Sequence, residues 1–417
     1  MSARRSLAGS ALLLGLGMAG AQGLMWVAMP VWSRQFGATD FAVLGVWAAL
    51  GGVVSVLVSL RYETVLMLPE SEQQAAALYR LALKAILVIG AGLTLLALGA
   101  VQLLPHIWLA AIGLEPLGLY LPLAVLSGVC SAWMGLNLAW LNRGQAYGAI
   151  NAARLGQAVL TVAAASLSGM SGWAPGLWLA HGLGALAGAL IAAMPVQAAM
   201  ARIGAACDDW RAVAHRHRDA PLFLWPSALM DTFTQQLPFV LAVSWFGSQA
   251  AGQFTLAWRS LALPLFMVSG ALGAVFYQRF ARLVDQRDAA RALLLRVWGL
   301  GFAAWLALSL ALWFGAETVF VTLFGAEWRE AGAMAAVMTP MVAAMAVSAA
   351  TSGSLLALGG HRFVPAFGVA MLLGRPLAFW WASTRGDLLL ALGAWAALEL
   401  SLIVLYNALI WRRLRVY

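Results

Sequence analysis

Five charged side chains interrupt long apolar stretches of the sequence: Arg154, Arg259, Arg375, Asp231 and Glu399. Counted along a helix at about 1.5 Å per residue, each lies ~12 to 18 Å from the end of its stretch. The forked donors of arginine suit the oxygens of a phosphate, whereas a lone carboxylate would repel them. We therefore expect the arginines to bind an anionic group, and we take Asp231 and Glu399 as candidates for ion coupling.

Arg154 belongs to a stripe of polar residues. Tyr147, Asn151, Arg154, Gln157 and Thr161 are spaced by four, three, three and four residues, which places them on one face of a helix. In a membrane helix such a stripe points inward, either to a polar cavity or to neighbouring helices that it hydrogen-bonds. Asn151, Arg154 and Gln157 are therefore candidate cavity residues, with interhelical packing as the alternative.

Asp231 belongs to a second pair of polar residues. Gln235 follows four residues later, on the same face of a helix. We predict that both side chains line the cavity. The alternative is an ion pair between Asp231 and Arg259 or Arg375, because buried charges are usually paired. Glu399 has the same two interpretations.

Arg61 and Glu63 close the apolar segment 41–60. On one continuous helix, residues two apart point to opposing faces, so the sequence predicts that these two side chains do not pair with each other. Arg61 then reaches either the lipid head groups or an anionic substrate at a cytoplasmic entrance to the cavity. We take Arg61 and Glu63 as candidate entrance residues.

The composition shows what surrounds these charges. Of the 417 residues, 63% are hydrophobic and 10% are charged, whereas a soluble domain is about 25% charged. Apolar runs of about 20 residues without period-two alternation indicate membrane-spanning helices rather than a barrel. The predicted fold class is an all-α integral membrane protein.

The apolar runs form two sets of six spans. The first set lies near 8–32, 41–62, 82–104, 119–141, 147–170 and 174–200. The second set lies near 221–246, 251–277, 293–314, 331–357, 363–384 and 387–411. The predicted domains are an N-terminal six-helix bundle at 1–205, a cytoplasmic linker at 206–220 and a C-terminal six-helix bundle at 221–417.

The basic residues predict the orientation of the helices. With the amino terminus in the cytoplasm, the opposite side holds only Arg34, Arg329 and Arg385, as expected from the positive-inside rule. Both termini are therefore expected in the cytoplasm. The first residues also resemble a signal peptide, but their apolar run of about 25 residues is long enough to span a bilayer. We interpret this run as the first membrane helix.

Other kinds of chemistry find little support in the sequence. The net charge of +9 resides at helix ends, where anionic lipids attract it, so no nucleic-acid partner is expected. Cys130 and Cys207 provide no disulfide framework, and no Cys/His spacing fits a metal site. The pair Asp208 and Asp209 is interpreted as part of a solvated loop. No P-loop motif is present, and we predict no catalytic residue, metal or cofactor.

A short motif occurs in both halves. Phe-Gly at 36–37, followed by Trp47, is echoed by Phe-Gly at 246–247, followed by Trp258. Six predicted spans separate the copies, so both have the same orientation in the membrane. The halves are therefore expected to be related by an axis along the membrane normal.

Several of these stretches together resemble a known family. They are Phe36 to Phe41, Ser59 to Glu63, Leu68-Pro69, Leu141 to Arg154, Asp219 to Pro226, Gln235 to Pro238 and Arg259 to Pro264. They are similar to the O-antigen and polysaccharide translocases, the Wzx-type flippases of the multidrug/oligosaccharidyl-lipid/polysaccharide (MOP) exporter superfamily. The resemblance covers about 36–280, and none of these stretches is a catalytic signature.

The resemblance implies two V-shaped six-helix bundles that work by alternating access. The implied cargo is an undecaprenyl-diphosphate-linked oligosaccharide, an O-antigen or exopolysaccharide repeat unit, moved from the cytoplasmic to the periplasmic leaflet of a bacterial inner membrane. The implied partners are this lipid-linked oligosaccharide and the bilayer, with a polysaccharide polymerase and a chain-length regulator as further candidates. A sugar diphosphate cannot cross hydrocarbon unaided, so its carrier needs a polar, partly cationic cavity.

Two other functions compete with this interpretation. An ion-coupled multidrug or small-solute antiporter of the same superfamily would need a compact acidic cation site, for which Asp231 and Glu399 are the candidates. A membrane glycosyltransferase or polymerase would need a large outer loop with clustered acids, which the predicted topology lacks. We therefore predict a flippase rather than an enzyme, with the antiporter as the alternative.

Overall fold

The computed structural model describes residues 7–103, 115–204, 210–283, 286–358 and 363–416. Throughout these ranges the regular secondary structure is helical. The predictions for Cys207 and for Asp208 and Asp209 lie outside the described residues, as does part of the predicted linker at 206–220.

The chain divides into two compact units, Met1–Val240 and Leu241–Tyr417. The helices of the first unit are α1 (Leu7–Gln35), α2 (Ala38–Ser59), α3 (Tyr62–Val65), α4 (Glu72–Leu103), α5 (Leu121–Arg143), α6 (Tyr147–Met170), α7 (Gly176–Ile203) and α8 (Trp210–Arg216). Helix α9 (Trp225–Leu283) begins in the first unit and ends in the second. The second unit continues with α10 (Arg287–Phe324), α11 (Arg329–Thr351), α12 (Gly353–Ala357), α13 (Val364–Ser383) and α14 (Leu388–Val416). The predicted domain bounds stay a prediction.

The long helices supply the predicted membrane spans. The described part of the chain has eleven helices of 20 residues or more, and α9 breaks at Gly247, which gives twelve long segments. Each segment overlaps one predicted span. Within the same residues, eight helices are long and apolar enough to cross a membrane, and a bent pair counts as a ninth. The prediction of an all-α integral membrane protein is confirmed.

The repeated Phe-Gly motif marks a helix break in both halves. Gly37 separates α1 from α2, and its N–H donates a hydrogen bond to Oδ2 of Asp40 at 3.0 Å. Gly247 divides α9 with φ of 84° and ψ of 164°, a conformation that glycine adopts without steric cost. Both copies of the motif therefore coincide with a helix break, although the two glycines differ in φ, −80° for Gly37 and 84° for Gly247.

Small residues allow close helix packing in the first unit. A Cβ atom added to Gly128 of α5 would lie 2.7 Å from the carbonyl oxygen of Gly51 in α2. Tyr79 of α4 donates a hydrogen bond to Oδ1 of Asn137 in α5 at 2.6 Å, and Nδ2 of Asn137 donates to the carbonyl oxygen of Ala189 in α7 at 3.2 Å. Close approach and interhelical hydrogen bonds both stabilise membrane helix bundles.

The second unit has a hydrophobic cluster formed by α9, α10, α14 and the region around α12. Its buried members are Phe276, Phe280, Ala290, Leu294, Leu355, Leu358, Ile410 and Leu414. Polar contacts add to this packing, since Ser269 donates a hydrogen bond to the carbonyl oxygen of Ala346 at 2.6 Å.

Gln145, in the turn between α5 and α6, has a left-handed backbone with φ of 54°. The variant Gln145→Gly is expected to raise the free energy of unfolding by about 0.5 to 1 kcal/mol, because glycine removes the steric cost of this conformation. The thermal unfolding midpoint in detergent measures this change. The matched control Gln73→Gly, at an exposed helical position, should be destabilised instead. A lowered midpoint for Gln145→Gly would contradict the prediction.

Candidate functional site

Leu60 and Arg61 break the chain between α2 and α3. Both have left-handed backbone conformations, with φ of 48° and 60°, which cost an L-residue roughly 1 to 2 kcal/mol each. Local hydrogen bonds hold this turn. The N–H of Arg61 donates to Oγ of Ser59 at 3.2 Å, and Oγ1 of Thr64 donates to the carbonyl oxygen of Arg61 at 2.7 Å. Strained backbone of this kind often occurs at functional sites.

Arg61 and Glu63 form an ion pair, so the prediction that they do not pair was wrong. Nη1 of Arg61 lies 3.2 Å from Oε1 of Glu63. The prediction assumed one continuous helix, whereas the left-handed residues before α3 change the direction of the Arg61 side chain relative to Glu63. Burial raises the pKa of Glu63, and the charge of Arg61 opposes this shift.

An open cleft of about 330 Å³ lies beside Arg61 in the first unit. The turn after α2 and the beginning of α9 both contribute to it, and its lining residues are Arg61, Thr64, Leu224, Ser227, Ala228 and Asp231. The structure therefore brings together Arg61 and Asp231, which the sequence analysis had placed in separate groups. Thr64 and Ser227 were not predicted. Their spacing, three residues after Arg61 and four before Asp231, is the signal that could have found them.

Asp231 shares a helical face with Gln235, as predicted. Nε2 of Gln235 donates a hydrogen bond to Oδ2 of Asp231 at 2.9 Å. The beginning of α9 is itself fixed to α2, since Nε1 of Trp225 donates to the carbonyl oxygen of Val56 at 3.0 Å. Among the described ion pairs, Arg61 pairs with Glu63 and not with Asp231. A cation and a carboxylate thus line one cleft without neutralising each other directly.

Arg143, the last residue of α5, holds the segment that follows α3. Its Nη1 donates to the carbonyl oxygens of Leu66 at 3.1 Å and Met67 at 3.3 Å, and its Nη2 donates to that of Pro69 at 2.7 Å. One guanidinium therefore satisfies three backbone carbonyls between α3 and α4. This contact supports the side of the cleft that carries Arg61 and Thr64.

The variant Arg143→Lys is expected to loosen this segment, because an ammonium group lacks the planar fork of a guanidinium and cannot reproduce the three contacts. Amide hydrogen exchange in residues 60–68 should become about tenfold faster, the effect of losing a single charge-assisted hydrogen bond. Exchange mass spectrometry measures this rate. The exposed Arg202 offers the control Arg202→Lys, which should leave the rates unchanged. Equal exchange in both variants would rule out this role of Arg143.

The polar stripe of α6 contacts glycines of two other helices. A Cβ atom added to Gly17 of α1 would lie 2.0 Å from Cγ of Asn151, and one added to Gly184 of α7 would lie 1.9 Å from Oγ1 of Thr161. Asn151 and Thr161 are both buried. These two residues therefore pack between helices, in agreement with the alternative that the sequence analysis left open.

Arg154 and Gln157 occupy the middle of the same stripe. A Cβ atom added to Gly188 of α7 would lie 3.1 Å from Cβ of Gln157, so the base of that side chain also contacts α7. Arg154 is partly buried and forms no ion pair with another residue in the described ranges. The stripe thus combines helix packing with an arginine that has no carboxylate partner in the described part of the chain.

Arg375 and Glu399 form a buried ion pair in the second unit. Their side chains are 3% and 0% exposed, and Nη2 of Arg375 lies 2.5 Å from Oε1 of Glu399. Nε of Arg375 and Nε1 of Trp395 donate to the same oxygen at 2.7 and 3.0 Å. Of the two interpretations given for Glu399, the structure shows the ion pair, with Arg375 as the partner. Oε2 of Glu399 is buried without a hydrogen-bond partner among the described residues.

Aromatic rings surround this ion pair. Trp395 stacks on Trp258 with ring centroids 5.2 Å apart, and the guanidinium of Arg375 lies 5.5 Å from the ring centroid of Trp395. Arg259, the residue after Trp258, is partly buried in α9 and has no ion-pair partner within the described part of the second unit. Of the two arginines predicted to lie deep in the apolar spans of this unit, Arg375 is neutralised by Glu399, whereas Arg259 has no carboxylate partner among the described residues.

These features define a multi-pass membrane protein made of long helices with isolated charges inside them. No group of three or more His, Cys, Asp or Glu side chains in the described ranges could hold a metal ion. The chemistry that the sites offer is hydrogen bonding and charge pairing, mainly through guanidinium groups.

The same fold is found in solved transporter structures of the MOP superfamily. An inward-facing multidrug resistance MATE family transporter matches with a TM-score of 0.72 and 13% identity, over 95% of this chain and 96% of that one. The lipid II flippase MurJ in an inward closed conformation matches with a TM-score of 0.75 and 10% identity, over 95% and 87%. A MOP superfamily transporter from Pyrococcus furiosus matches with a TM-score of 0.65 and 12% identity, over 98% and 96%.

At these low identities the likeness establishes the fold. No protein-family model and no curated protein matches the chain significantly. The predicted exporter fold is confirmed, while the assignment to the Wzx-type flippases stays a prediction. The bacterial inner membrane and the cytoplasmic position of the termini also stay predictions.

Proposed function

We propose that the protein is a flippase that moves an undecaprenyl-diphosphate-linked oligosaccharide from the cytoplasmic to the periplasmic leaflet of a bacterial inner membrane. The observation that carries this proposal is that Arg154 and Arg259 lie within long apolar helices and have no carboxylate partner among the described residues. Charges at such positions are costly and mark substrate or ion pathways. A diphosphate would supply the counter-ion that these two arginines do not find among the described residues.

The geometry of arginine suits a phosphate group. Its fork can donate two parallel hydrogen bonds to one phosphate group. In the proposed mechanism, Arg154 in the first unit and Arg259 in the second each donate to the diphosphate during its passage, while the lipid tail stays in the bilayer. Gln157 and Gln235 offer hydrogen bonds to the sugars. MurJ, a lipid II flippase, has the same fold, which supports a lipid-linked cargo.

Arg61 and Glu63 are proposed to act at the cytoplasmic entrance, where Arg61 contacts the diphosphate of an arriving lipid. Asp231 remains the candidate for ion coupling, because Glu399 is held by Arg375 and Trp395. A polysaccharide polymerase and a chain-length regulator are proposed partners, because both would use the product of this transport.

An ion-coupled multidrug or small-solute antiporter is the second candidate. It is favoured by Asp231, an exposed carboxylate in an open cleft that pairs with no described cation. The fold of a MATE family transporter agrees with it as well. Against it, Glu399 is bound by both Arg375 and Trp395, so this acid is not available as an open cation site without a rearrangement.

Removal of the gene from its host bacterium tests the proposal. If the protein is a flippase, the deletion strain should lose its surface polysaccharide, and the wild-type gene should restore it. The sensitivity of the strain to cationic drugs should not change. Polysaccharide content is measured by gel electrophoresis of extracted cell-surface material. Drug sensitivity without polysaccharide loss would overturn the flippase and support the antiporter.

A further inference from the structure

We propose that the cleft beside Arg61 recognises the junction between the phosphate and the first sugar of the cargo. In this arrangement Arg61 donates to the phosphate, and Asp231 accepts hydrogen bonds from sugar hydroxyls. The inference rests on the proposed function for the nature of the cargo. It gives Asp231 a role in sugar recognition, in addition to its candidacy for ion coupling.

The charges of the cleft select the chemistry of its ligand. Arg61 and Asp231 line the same cleft and do not pair with each other. Asp231 repels a simple anion, whereas Arg61, which shares its charge with Glu63 at 3.2 Å, still presents guanidinium donors to the cleft. A sugar phosphate satisfies both residues, since its phosphate oxygens accept from the guanidinium while its hydroxyls donate to the carboxylate.

Both charged residues have hydrogen-bonding capacity left for a ligand. Arg61 uses Nη1 for Glu63, and its Nη2 donates no hydrogen bond to a described residue. Asp231 uses Oδ2 to accept from Gln235, and its Oδ1 accepts no hydrogen bond from a described residue. The guanidinium therefore has donors left for phosphate oxygens, and the carboxylate has one oxygen left for a sugar hydroxyl.

The rest of the lining suits a single sugar ring. Oγ1 of Thr64 and Oγ of Ser227 already donate to backbone carbonyls, so each hydroxyl is left as an acceptor. Leu224 adds an apolar surface for the C–H face of a ring. The volume of about 330 Å³ is at the low end of small-molecule sites, which span about 300 to 1,000 Å³. That space suits a phosphate and one ring rather than a whole oligosaccharide.

Binding of glucose 1-phosphate to the purified full-length protein tests the cleft. Glucose, which has only the sugar hydroxyls, and inorganic phosphate, which has only the phosphate group, serve as the comparison probes. Saturation-transfer NMR should show saturable binding of glucose 1-phosphate and at least fivefold weaker binding of either single-function probe. Equal binding of glucose 1-phosphate and inorganic phosphate would overturn the proposal, because the site would then recognise charge alone.

The variant Asp231→Asn separates sugar recognition from general electrostatics. It should bind glucose 1-phosphate about tenfold more weakly, because charge-assisted hydrogen bonds to the hydroxyls are lost. It should bind inorganic phosphate more tightly, because a repelling carboxylate is gone. The exposed Asp219 gives the matched control Asp219→Asn, which should change neither value. Tighter binding of both glucose 1-phosphate and inorganic phosphate by Asp231→Asn would overturn the assignment.

A second variant, Ala228→Phe, should block the cleft and abolish binding of glucose 1-phosphate.

Competition identifies the source of the sugar phosphate. A short-chain lipid diphosphate sugar should displace glucose 1-phosphate if the cleft serves the lipid-linked cargo. Failure to displace it would overturn that role and indicate a free sugar phosphate. If the wild-type protein moves lipid-linked oligosaccharide but does not bind glucose 1-phosphate, the inference fails and the proposed function stands. If it binds glucose 1-phosphate in the cleft but moves no lipid, the proposed function fails and the cleft assignment stands.

Discussion

The variant Glu399→Ala is expected to lower the free energy of unfolding by about 3 to 5 kcal/mol, because it leaves a buried arginine without its counter-ion. Arg375 is 3% exposed and pairs with Glu399 through two nitrogens. Trp395 also loses the acceptor of its indole N–H. The cost arises from the charge that remains buried, since forming a buried pair itself gives little net stabilisation.

Thermal or denaturant unfolding of the purified protein in detergent measures this loss. The double variant Arg375→Met/Glu399→Leu removes both charges and should recover most of the stability. The exposed pair of Arg329 and Glu317, 67% and 54% exposed, gives the control Glu317→Ala, with an expected change below about 1 kcal/mol. Similar destabilisation by Glu399→Ala and Glu317→Ala would contradict this account of the buried pair.

The variants Arg154→Gln and Arg259→Gln are expected to abolish surface polysaccharide while the protein still inserts into the membrane. Each loses a pair of charge-assisted hydrogen bonds to the diphosphate, for which a loss of transport of about a hundredfold or more is expected. Arg154→Lys and Arg259→Lys keep the charge without the fork, so they should have intermediate activity.

Polysaccharide extraction and membrane fractionation from the same cells measure transport and insertion together. The control Arg385→Gln removes an arginine just beyond the end of α13 that, among the described residues, contacts the ring and the carbonyl oxygen of Trp381, and it should leave the polysaccharide unchanged. Normal polysaccharide from both Arg154→Gln and Arg259→Gln would remove these residues from the mechanism.

Hydropathy alone predicts the helices of this protein well. Each predicted span overlaps a long helical segment, because a lipid-facing backbone has to satisfy its hydrogen bonds within a helix. The break at Gly247 was also indicated, by its similarity to the Phe-Gly motif at 36–37. These features depend on residues near one another in the chain, which is why a single sequence reveals them.

The charge pairs were harder to predict. The ion pair of Arg61 and Glu63 depends on the left-handed conformations of Leu60 and Arg61. Neither residue is a glycine or an asparagine, so the sequence does not indicate this conformation. The pair of Arg375 and Glu399 joins different helices, 24 residues apart, so its partner assignment depends on packing rather than spacing. For the same reason, the polar stripe on α6 could not reveal that Asn151 packs against Gly17 of α1.

Transport of a fluorescent undecaprenyl-diphosphate-linked oligosaccharide in proteoliposomes tests the central claim most directly. Accessibility of the head group to an external quencher or glycosidase reports its leaflet. The account predicts that the wild-type protein moves this lipid between leaflets, and that Arg154→Gln and Arg259→Gln move it at the rate of empty liposomes. Transport of a cationic drug by the wild-type protein, with the lipid remaining in its original leaflet, would contradict the account.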